Sequence, residues 1–390
     1  MARAELAAWL RFALSPVSPA RQRKLLAVFG LPGHVFAQSR ANLADVVGAD
    51  AADALLAGAD PGALDAALAW AGEPGNHLLT LADDGYPRAL LEIADPPPVL
   101  YVKGDPALLG LPALAMVGAR TASAQGEANA EAFARSLGAA GLVIVSGLAL
   151  GIDAAAHRGA FAAEGGRTVA VVGTGLDRIY PARNAGLARE IAARGALVSE
   201  FPLGTPPLPR NFPRRNRLIA GLSLGVLVVE AAPNSGSLIT ARLAAEAGRE
   251  VFAIPGSIHS PLARGCHRLI RQGAKLVETA EDVLEELRGR LDGELLPQPA
   301  RTGRPSSRRA PAEGRTPRSG MPAVPANLAP EAVRILDALG DDGRDIDSLA
   351  LAVGLGVETL QAHLLTLELA GVVVRRPGGG FLRLHTPGGV

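Results

Sequence analysis

Short apolar runs, each bounded by glycine or a polar residue, recur through the middle of the chain. They span residues 113–119, 141–147, 168–173, 196–200, 225–231 and 250–256. Each run is too short for an independent helix and too continuously apolar for a half-exposed strand, so we expect strands that are buried on both faces. The segments between them have the amphipathic period of helices. This alternation predicts a Rossmann-like, doubly wound α/β fold with a mostly parallel sheet.

The two ends of the chain have different patterns from the middle. Residues 1–80 show helical apolar periodicity and predict an N-terminal helical domain ahead of a sheet domain at 81–290. Within the first segment, Gly30 and Gly33 flank a Leu-Pro turn typical of a helix-hairpin-helix, although a plain connection between two helices uses the same residues and is favoured. Residues 291–327 are rich in Pro, Gly, Arg and Ser and predict a disordered, basic linker.

Residues 328–385 again show apolar periodicity. Predicted helices at 330–338, 346–353 and 357–370 precede a hairpin, which is the layout of a winged helix. A helix that reads a major groove carries basic or amide side chains, whereas the third helix here offers Gln361 and His363 beside Glu358 and Glu368. This composition disfavours base-specific recognition of a duplex. Contact of Arg375 and Arg376 with a DNA backbone, or a protein-docking role, stays open.

Composition narrows the class of protein. The 390 residues carry a formal net charge of +1, and lysine occurs only at Lys24, Lys103 and Lys275, so arginine supplies nearly all positive charge. A GC-rich coding bias accounts for most of that preference, and only the positions of the arginines can indicate function. The single cysteine, Cys266, excludes an internal disulfide and a multi-cysteine metal site. Neither a membrane span nor a signal peptide is expected, and the predicted location is the cytoplasm.

Two loops at predicted strand ends have the composition of phosphate sites. The sequence Ser146-Gly147-Leu148-Ala149-Leu150-Gly151-Ile152-Asp153 leaves a strand and enters a helix, and Ser235-Gly236-Ser237 does the same later in the chain. Helix starts attract anions through their N–H groups and the helix dipole. Either loop alone is better explained by ordinary helix capping. Two such loops at one edge of one sheet favour a phosphate-binding rim.

A third segment adds positive charge and an aromatic ring. Residues 209–221 contain Arg210, Arg214, Arg215 and Arg217 around Phe212. Arginine forms charge-assisted contacts with phosphate, and a phenyl face stacks on an unpaired base. The alternative is a solvated loop whose phenylalanine packs in the core, but the charge density beside a phosphate rim favours binding. Arg120, at the end of the first buried run, points to the same rim.

Taken together, these motifs resemble the DprA/Smf (DNA-processing protein A) family in order and spacing. The resemblance covers residues 80–285 and rests on VGAR, VIVSGLALGID followed by His157, VGTGLD-x-x-YP, SEFP, FPRRNRLIAGLS, VVEA-x-x-x-SGSLITA, and IPGS followed by GCHRLI-x-x-GA. It implies a non-catalytic protein without a cofactor or a bound metal that binds single-stranded DNA, forms homodimers and loads the RecA recombinase during natural transformation (competence) or recombination. It also implies a SAM-like fold for the N-terminal helices.

The resemblance assigns roles to individual residues. Contacts to single-stranded DNA are expected from Arg120, Ser146, Gly147, Phe212, Arg215, Asn216, Arg217, Ser235, Gly236 and Ser237, and Arg210 is added because a basic residue is expected near this point. The dimer surface is expected at His267, Leu269 and Ile270, although local packing explains His267 equally well. In this interpretation Arg217→Ala flattens the salt dependence of binding, whereas Phe212→Ala lowers affinity and leaves that dependence nearly unchanged.

Two enzyme classes on the same fold are the alternatives. A nucleotide-handling enzyme similar to the Lonely Guy phosphoribohydrolases would need a PGGxGT turn, which EAAPNSGSLIT does not provide. A dinucleotide-dependent oxidoreductase would need G-x-G-x-x-G after the first strand, where this chain has VGARTASAQG. Asp153 and His157 lie four residues apart on a predicted helix. A carboxylate at the helix start and a packed imidazole explain this pair better than a metal or catalytic site.

Overall fold

The computed structural model describes residues 3–291 and part of the C-terminal segment. The described C-terminal residues are 330–339, 344–353, 355–356, 359–360, 363–364, 367, 373–375 and 380–383. The chain divides into two compact units, Met1–Arg301 and Thr302–Val390, which we describe separately. The predicted linker after Leu291 lies outside the described residues, as do Glu358, Gln361, Glu368 and Arg376.

The first unit alternates helices with strands from residue 76 onward. Its helices are α1 (Arg3–Ala13), α2 (Pro19–Phe29), α3 (Pro32–Phe36), α4 (Arg40–Val47), α5 (Ala49–Ala57), α6 (Pro61–Ala71), α7 (Arg88–Leu91), α8 (Ala124–Ala139), α9 (Ile152–Phe161), α10 (Ala185–Arg194), α11 (Asn211–Gly221), α12 (Ser237–Glu246), α13 (Arg264–Arg271) and α14 (Ala280–Leu291). Local chemistry sets several of their starts. Ser123, for example, accepts a hydrogen bond from the Gly126 N–H at the beginning of α8.

One sheet organises this unit. Its strands are β1 (Asn76–Thr80), β2 (Val99–Gly104), β3 (Ala113–Val117), β4 (Val143–Ser146), β5 (Thr168–Val171), β6 (Ala196–Ser199), β7 (Gly225–Val228), β8 (Glu250–Ala253) and β9 (Lys275–Leu276). Within residues 3–291 their order is β1-β2-β6-β5-β4-β3-β7-β8-β9. The seven strands β3 to β9 run parallel to one another. Strands β1 and β2 form one edge of the sheet, where β1 pairs antiparallel with β2 and β2 pairs antiparallel with β6. The six predicted strands and the mostly parallel sheet are confirmed.

Alternate residues of each central strand pack against helices on opposite faces. On β3, Ala115 and Val117 belong to the core beneath α11, α12 and α13, whereas Leu114 and Met116 belong to the core beneath α8, α9 and α14. Both sets are buried. Because helices cover both faces, the central strands of this sheet are apolar at nearly every position, which explains the apolar runs in the sequence. The buried hydroxyls of Ser146, Thr168 and Ser199 at strand ends donate to backbone carbonyls.

The N-terminal helices pack on the same sheet. Trp9 and Trp70, from α1 and α6, join the core formed by Tyr101 and Leu197, and the rings of Trp70 and Tyr101 lie 5.6 Å apart between centroids. Helices α2 to α5 enclose a smaller core of their own. The predicted boundary at residue 80 needs a correction, because β1 pairs with β2 along its whole length and so belongs to the sheet.

The second unit contains the elements expected of a winged helix. Helices α15 (Pro330–Leu339) and α16 (Ile346–Val353) match the first two predicted helices, and strands β10 (Arg344–Asp345), β11 (Val373–Arg375) and β12 (Gly380–Arg383) pair in the order β10-β12-β11. Ile335, Leu349, Leu364 and Phe381 are buried in its core. Among the described residues of the two units, no helix combines the length and the apolar character needed to cross a membrane.

Candidate nucleic-acid interface

A cavity of about 560 Å³ opens at the carboxyl ends of the parallel strands. It lies where the strand order changes direction, since β4, β5 and β6 follow β3 on one side and β7 and β8 follow on the other. Such a switch point separates the loops of neighbouring strands and is the usual ligand site of an open α/β sheet. The lining residues include Arg120, Asp153, Tyr180, Phe212, Arg215, Asn216, Ser235, Gly236 and Ser237. The structure thus brings together seven of the predicted contact residues.

Arg215 forms the buried base of this cavity. Its side chain lies on α11 and the residue is 4 % exposed. One guanidinium nitrogen donates a hydrogen bond to the Val171 carbonyl at the end of β5, whereas the buried Nε has no partner. Burial lowers the pKa of Arg215 to about 10, and the attraction of Asp153 opposes that effect. The guanidinium therefore keeps its positive charge at neutral pH, at the lining of the cavity.

The loop after β4 shapes the space that Arg215 occupies. A Cβ on Gly147 would lie 2.7 Å from the guanidinium Cζ, so only glycine allows this approach. The Asp153 carboxylate accepts hydrogen bonds from the backbone N–H groups of Gly147 and Ala149, at 3.2 and 3.3 Å. Burial raises the pKa of Asp153, and the positive charge of Arg215 works against that shift. Gly147 is thus a spacer whose N–H is already bonded.

Ser146 and His157 are both buried below the cavity, although only Ser146 was expected to contact DNA. The Ser146 hydroxyl is fully buried and donates to the Met116 carbonyl at 2.6 Å. It therefore does not reach the cavity, where a contact with DNA was expected. The Thr168 hydroxyl donates to the Ile144 carbonyl, so the His157 Nδ1–H donates to Thr168, at 2.6 Å. Burial lowers the pKa of His157 to about 3. His157 is therefore a packed neutral imidazole, and the described residues contain no cluster of side chains suited to a metal ion.

Phe212 stands at the start of α11 between an aromatic ring and a cation. The Tyr180 ring lies 5.6 Å from the Phe212 ring between centroids, and the Arg120 guanidinium carbon lies 5.6 Å from the Phe212 centroid. The neighbouring Asn211 fixes this end of the helix, because its side-chain amide donates to the Gly173 carbonyl at 3.1 Å. Charge and aromatic surface therefore meet at one wall of the cavity.

The Ser235-Gly236-Ser237 turn forms the opposite wall. The two serine hydroxyl oxygens lie 2.7 Å apart, so one hydroxyl hydrogen of the pair is free to point elsewhere. Asn216 links this turn to α11 by donating to the Gly236 carbonyl at 3.4 Å. Neither α11 nor α12 has a side-chain cap at its start. The positive ends of both helix dipoles border the cavity and favour an anion there.

Arg217 points away from the cavity. Its guanidinium donates to both carboxylate oxygens of Glu200, each at 2.8 Å, and it also lies 3.6 Å from the Asp95 carboxylate. Residues two apart on a helix point in nearly opposite directions, which separates Arg217 from Arg215. Arg217 is therefore not among the residues that line this cavity. Arg210 is exposed at the start of α11 but is not among the lining residues.

The predicted dimer residues divide into two groups. Leu269 is 8 % exposed and packs in the core, so it offers a partner little surface. His267 and Ile270 are half-buried and line a groove of about 620 Å³ together with Leu276. The His267 Nε2 lies 2.9 Å from the Gly256 carbonyl, which orients the ring locally.

Sequence reasoning missed two residues of this region. Tyr180 follows the glycine-rich end of β5, where an aromatic next to a predicted rim was a usable signal. Glu200 follows β6 and is the carboxylate that pairs with Arg214 and Arg217. No local sequence pattern predicts the pairing of Glu200 with these arginines, because Glu200 and α11 meet only in the folded chain.

Comparison with known proteins gives consistent matches. Residues 77–288 match the family model described as DNA recombination-mediator protein A, and residues 319–379 match the DprA winged helix domain. The chain is 44 % identical to Protein Smf of Escherichia coli over 324 residues, which cover 83 % of this chain and 81 % of that protein. It is 51 % identical to DNA processing protein DprA of Streptococcus pneumoniae over 207 residues, 53 % of this chain and 73 % of that protein.

Two solved structures are also similar. The X-ray structure of DNA processing protein A from Streptococcus pneumoniae superposes with a TM-score of 0.64 and 40 % identity, covering 73 % of this chain and 98 % of that chain. A structure of DNA processing protein A from Helicobacter pylori, described by its single-stranded DNA binding mode, has a TM-score of 0.50 and 32 % identity. It covers 55 % of this chain and 96 % of that chain.

Proposed function

The chain belongs to the DprA/Smf family of DNA-processing proteins, and from this membership we propose that it binds single-stranded DNA in the cavity at the end of the sheet. The observation that carries the proposal is the buried cation Arg215 in the lining of a cavity whose wall also contains Phe212 and the exposed Arg120. A phosphate is the ligand that such a cation favours, and an unpaired base is the group that a partly exposed aromatic ring favours.

We propose that the contact residues are Arg120, Phe212, Arg215, Asn216, Ser235, Gly236 and Ser237. Arg120 is exposed and supplies charge at the mouth, whereas Arg215 supplies it at the base. Gly147 contributes by leaving room for Arg215. Arg210, also exposed, extends the positive surface along the start of α11. These contacts address phosphate and ring faces rather than base edges, so little sequence preference is expected.

The wider role follows from the family. We propose that the protein forms a homodimer through the groove at His267 and Ile270 and loads the RecA recombinase onto single strands, in natural transformation or recombination. The place of action is then the cytoplasm. Two cavities in a dimer would raise avidity on longer strands. The winged helix would serve as an accessory contact with DNA or protein, and the N-terminal helices support the sheet.

A second class of function is hydrolysis of a nucleoside monophosphate, and no residue in the described lining of the cavity favours it. His157 is buried, neutral and bonded to Thr168, and the Asp153 carboxylate is bonded to two backbone N–H groups. We therefore propose that the cavity binds its ligand without changing it.

The test is binding of a fluorescent oligothymidine, followed by anisotropy, with a duplex competitor and a salt titration. Salt-sensitive binding that duplex does not displace is the expected result. The log of the association constant should fall with the log of the salt concentration by about 0.7 per phosphate neutralised. Absence of binding at low salt would overturn the proposal, and release of a free base from a nucleoside monophosphate would establish the enzyme instead.

A further inference from the structure

Phe212 is the aromatic residue that the sequence offers as the stacking surface, but the protein itself already contacts much of its ring. Tyr180 packs against it at 5.6 Å between centroids, and Arg120 lies 5.6 Å from its centroid. At its edge the ring meets the backbone of Gly173, where a Cβ would lie 3.1 Å from the Phe212 Cδ1. Phe212 is accordingly only partly exposed.

Tyr180 is the neighbouring ring that remains open to solvent. It is 46 % exposed and lines the cavity, whereas the two other tyrosines of the chain, Tyr86 and Tyr101, are 4 % and 3 % exposed. A ring at this position has one side against Phe212 and the remainder facing the cavity mouth. A tyrosine ring combines a large apolar face with few rotatable bonds, so a base can stack on it at a small entropic cost.

The loop that carries Tyr180 is held in place by several hydrogen bonds. The Gly175 N–H donates to the Thr205 carbonyl at 3.1 Å, and the Thr174 hydroxyl donates to the Arg178 carbonyl at 3.2 Å. The Asp177 carboxylate accepts from the Gly204 N–H at 2.8 Å. The first and third of these bonds connect the loop to residues 204–205, which follow β6, and the second closes the loop on itself. Together they pre-organise Tyr180 before any ligand arrives.

We propose that Tyr180 is a base-stacking residue at the mouth of the cavity, with Phe212 as the ring that supports it from behind. The inference rests on the proposed binding of single-stranded DNA and adds a contact that the family motif alone did not assign. The ligand is an unpaired base, since a base inside a duplex has both faces covered by its neighbours. Arg120, beside Phe212, is then near the phosphate that accompanies this base.

The test compares two oligomers with full-length variants. One oligomer is oligothymidine, and the other is an abasic oligomer of the same length, which keeps the phosphates and lacks the bases. Tyr180→Ala should weaken oligothymidine binding by about 5-fold or more, as expected for one stacked base, and leave abasic binding and the salt dependence unchanged. Tyr180→Phe should bind like the parent, because the ring and not the hydroxyl carries the stacking.

A matched control and a spectroscopic readout separate stacking from packing. Ile179, the exposed neighbour in the chain, is 41 % exposed and does not line the cavity, so Ile179→Ala should bind like the parent. Tyr180→Leu keeps apolar bulk against Phe212 and should lose affinity as Tyr180→Ala does. In an oligomer containing 2-aminopurine, the parent and Tyr180→Phe should quench its fluorescence on binding, and Tyr180→Leu should quench it less.

Three outcomes would overturn the inference. Equal oligothymidine affinity of Tyr180→Ala and the parent would remove Tyr180 from the site and leave the proposed function intact. An equal loss of affinity for both oligomers would show that the ring acts by packing. Failure of the parent protein to bind oligothymidine would overturn the proposed function, and this inference with it.

Discussion

The guanidinium of Arg215 occupies the space into which a side chain at Gly147 would project, with its Cζ 2.7 Å from the position of that Cβ. Two segments far apart in sequence thus depend on one another: the loop after β4 stays small so that α11 can place a cation beneath the cavity. Gly147 does not have the positive φ angle that usually requires glycine. Glycine is needed at this position because the Arg215 side chain occupies the space of a Cβ.

Gly147→Ala tests this contact. The added methyl group must displace the buried guanidinium, so we expect a loss of about 1–3 kcal/mol in the free energy of unfolding, typical of overpacking, together with weaker oligothymidine binding. Urea denaturation and anisotropy measure the two effects. The control is Gly186→Ala on α10, where a Cβ meets nothing within 4 Å. Parent-like behaviour of Gly147→Ala would mean that Arg215 moves aside without cost.

The two arginines Arg217 and Arg120 should behave in opposite ways. Arg120→Ala removes an exposed charge at the cavity, so the slope of log affinity against log salt should decrease by about 0.7, with little change in stability. Arg217→Ala removes a partner of the buried Glu200 carboxylate and should lower the free energy of unfolding by about 1–3 kcal/mol. The loss stays within this range because Arg214 continues to pair with that carboxylate. Its salt slope should match the parent.

This prediction reverses the expectation from sequence alone, which assigned the change of slope to Arg217. A salt titration of both variants decides between the two. If Arg217→Ala reduced the slope of log affinity against log salt concentration and left stability unchanged, Arg217 would be a DNA-contacting residue after all.

The proposed dimer groove can be tested with one charge. Ile270→Arg adds a cation to a groove that Arg264, Arg268 and Arg271 already line, and a partner would have to bury it, so sedimentation velocity should detect a shift from dimer to monomer. Val28→Glu is the control, since Val28 is exposed on α2 in the N-terminal helices. Leu269→Glu should instead unfold the protein, because Leu269 is a core residue. A parent-like dimer in Ile270→Arg would exclude this groove.

His157 should make stability depend on pH. Burial, with Arg215 nearby, lowers its pKa to about 3 in the folded protein, whereas the unfolded chain has the ordinary value of 6.5. The unfolded state therefore binds the proton first as the pH falls, and the contribution of His157 is complete above pH 6.5 and is lost toward pH 3. Between pH 7 and pH 5 this group should lower the free energy of unfolding by about 2 kcal/mol.

The measurement is urea denaturation at both pH values for the parent and for His157→Gln. The variant has no imidazole to protonate, so its stability should fall by about 2 kcal/mol less over the same interval. An identical pH dependence of the two proteins would mean that His157 titrates alike in the folded and unfolded states.

The sequence by itself determined the sheet and the edge of the sheet at which the candidate site lies. Apolar runs that alternate with amphipathic segments are sufficient to predict a parallel sheet covered on both faces, because burial of both faces removes polar residues from the strands. The ends of those strands must then carry the ligand loops, and Arg120, Phe212, Arg215 and the Ser235-Gly236-Ser237 turn do meet at one cavity. Strand β1 escaped the prediction because a half-exposed edge strand has no continuous apolar run.

Only the tertiary structure decided what each of these residues does. Arg215 and Arg217 are equivalent in the sequence, yet one lies beneath the cavity and the other binds Glu200, because two residues along a helix turn a side chain to nearly the opposite side. The sequence does not distinguish Ser146 from Ser235 and Ser237, and only the structure shows that the Ser146 hydroxyl donates to the Met116 carbonyl. The hydrogen-bond and ion-pair partners of a side chain depend on segments that come into contact only on folding, and a local sequence pattern does not predict those contacts.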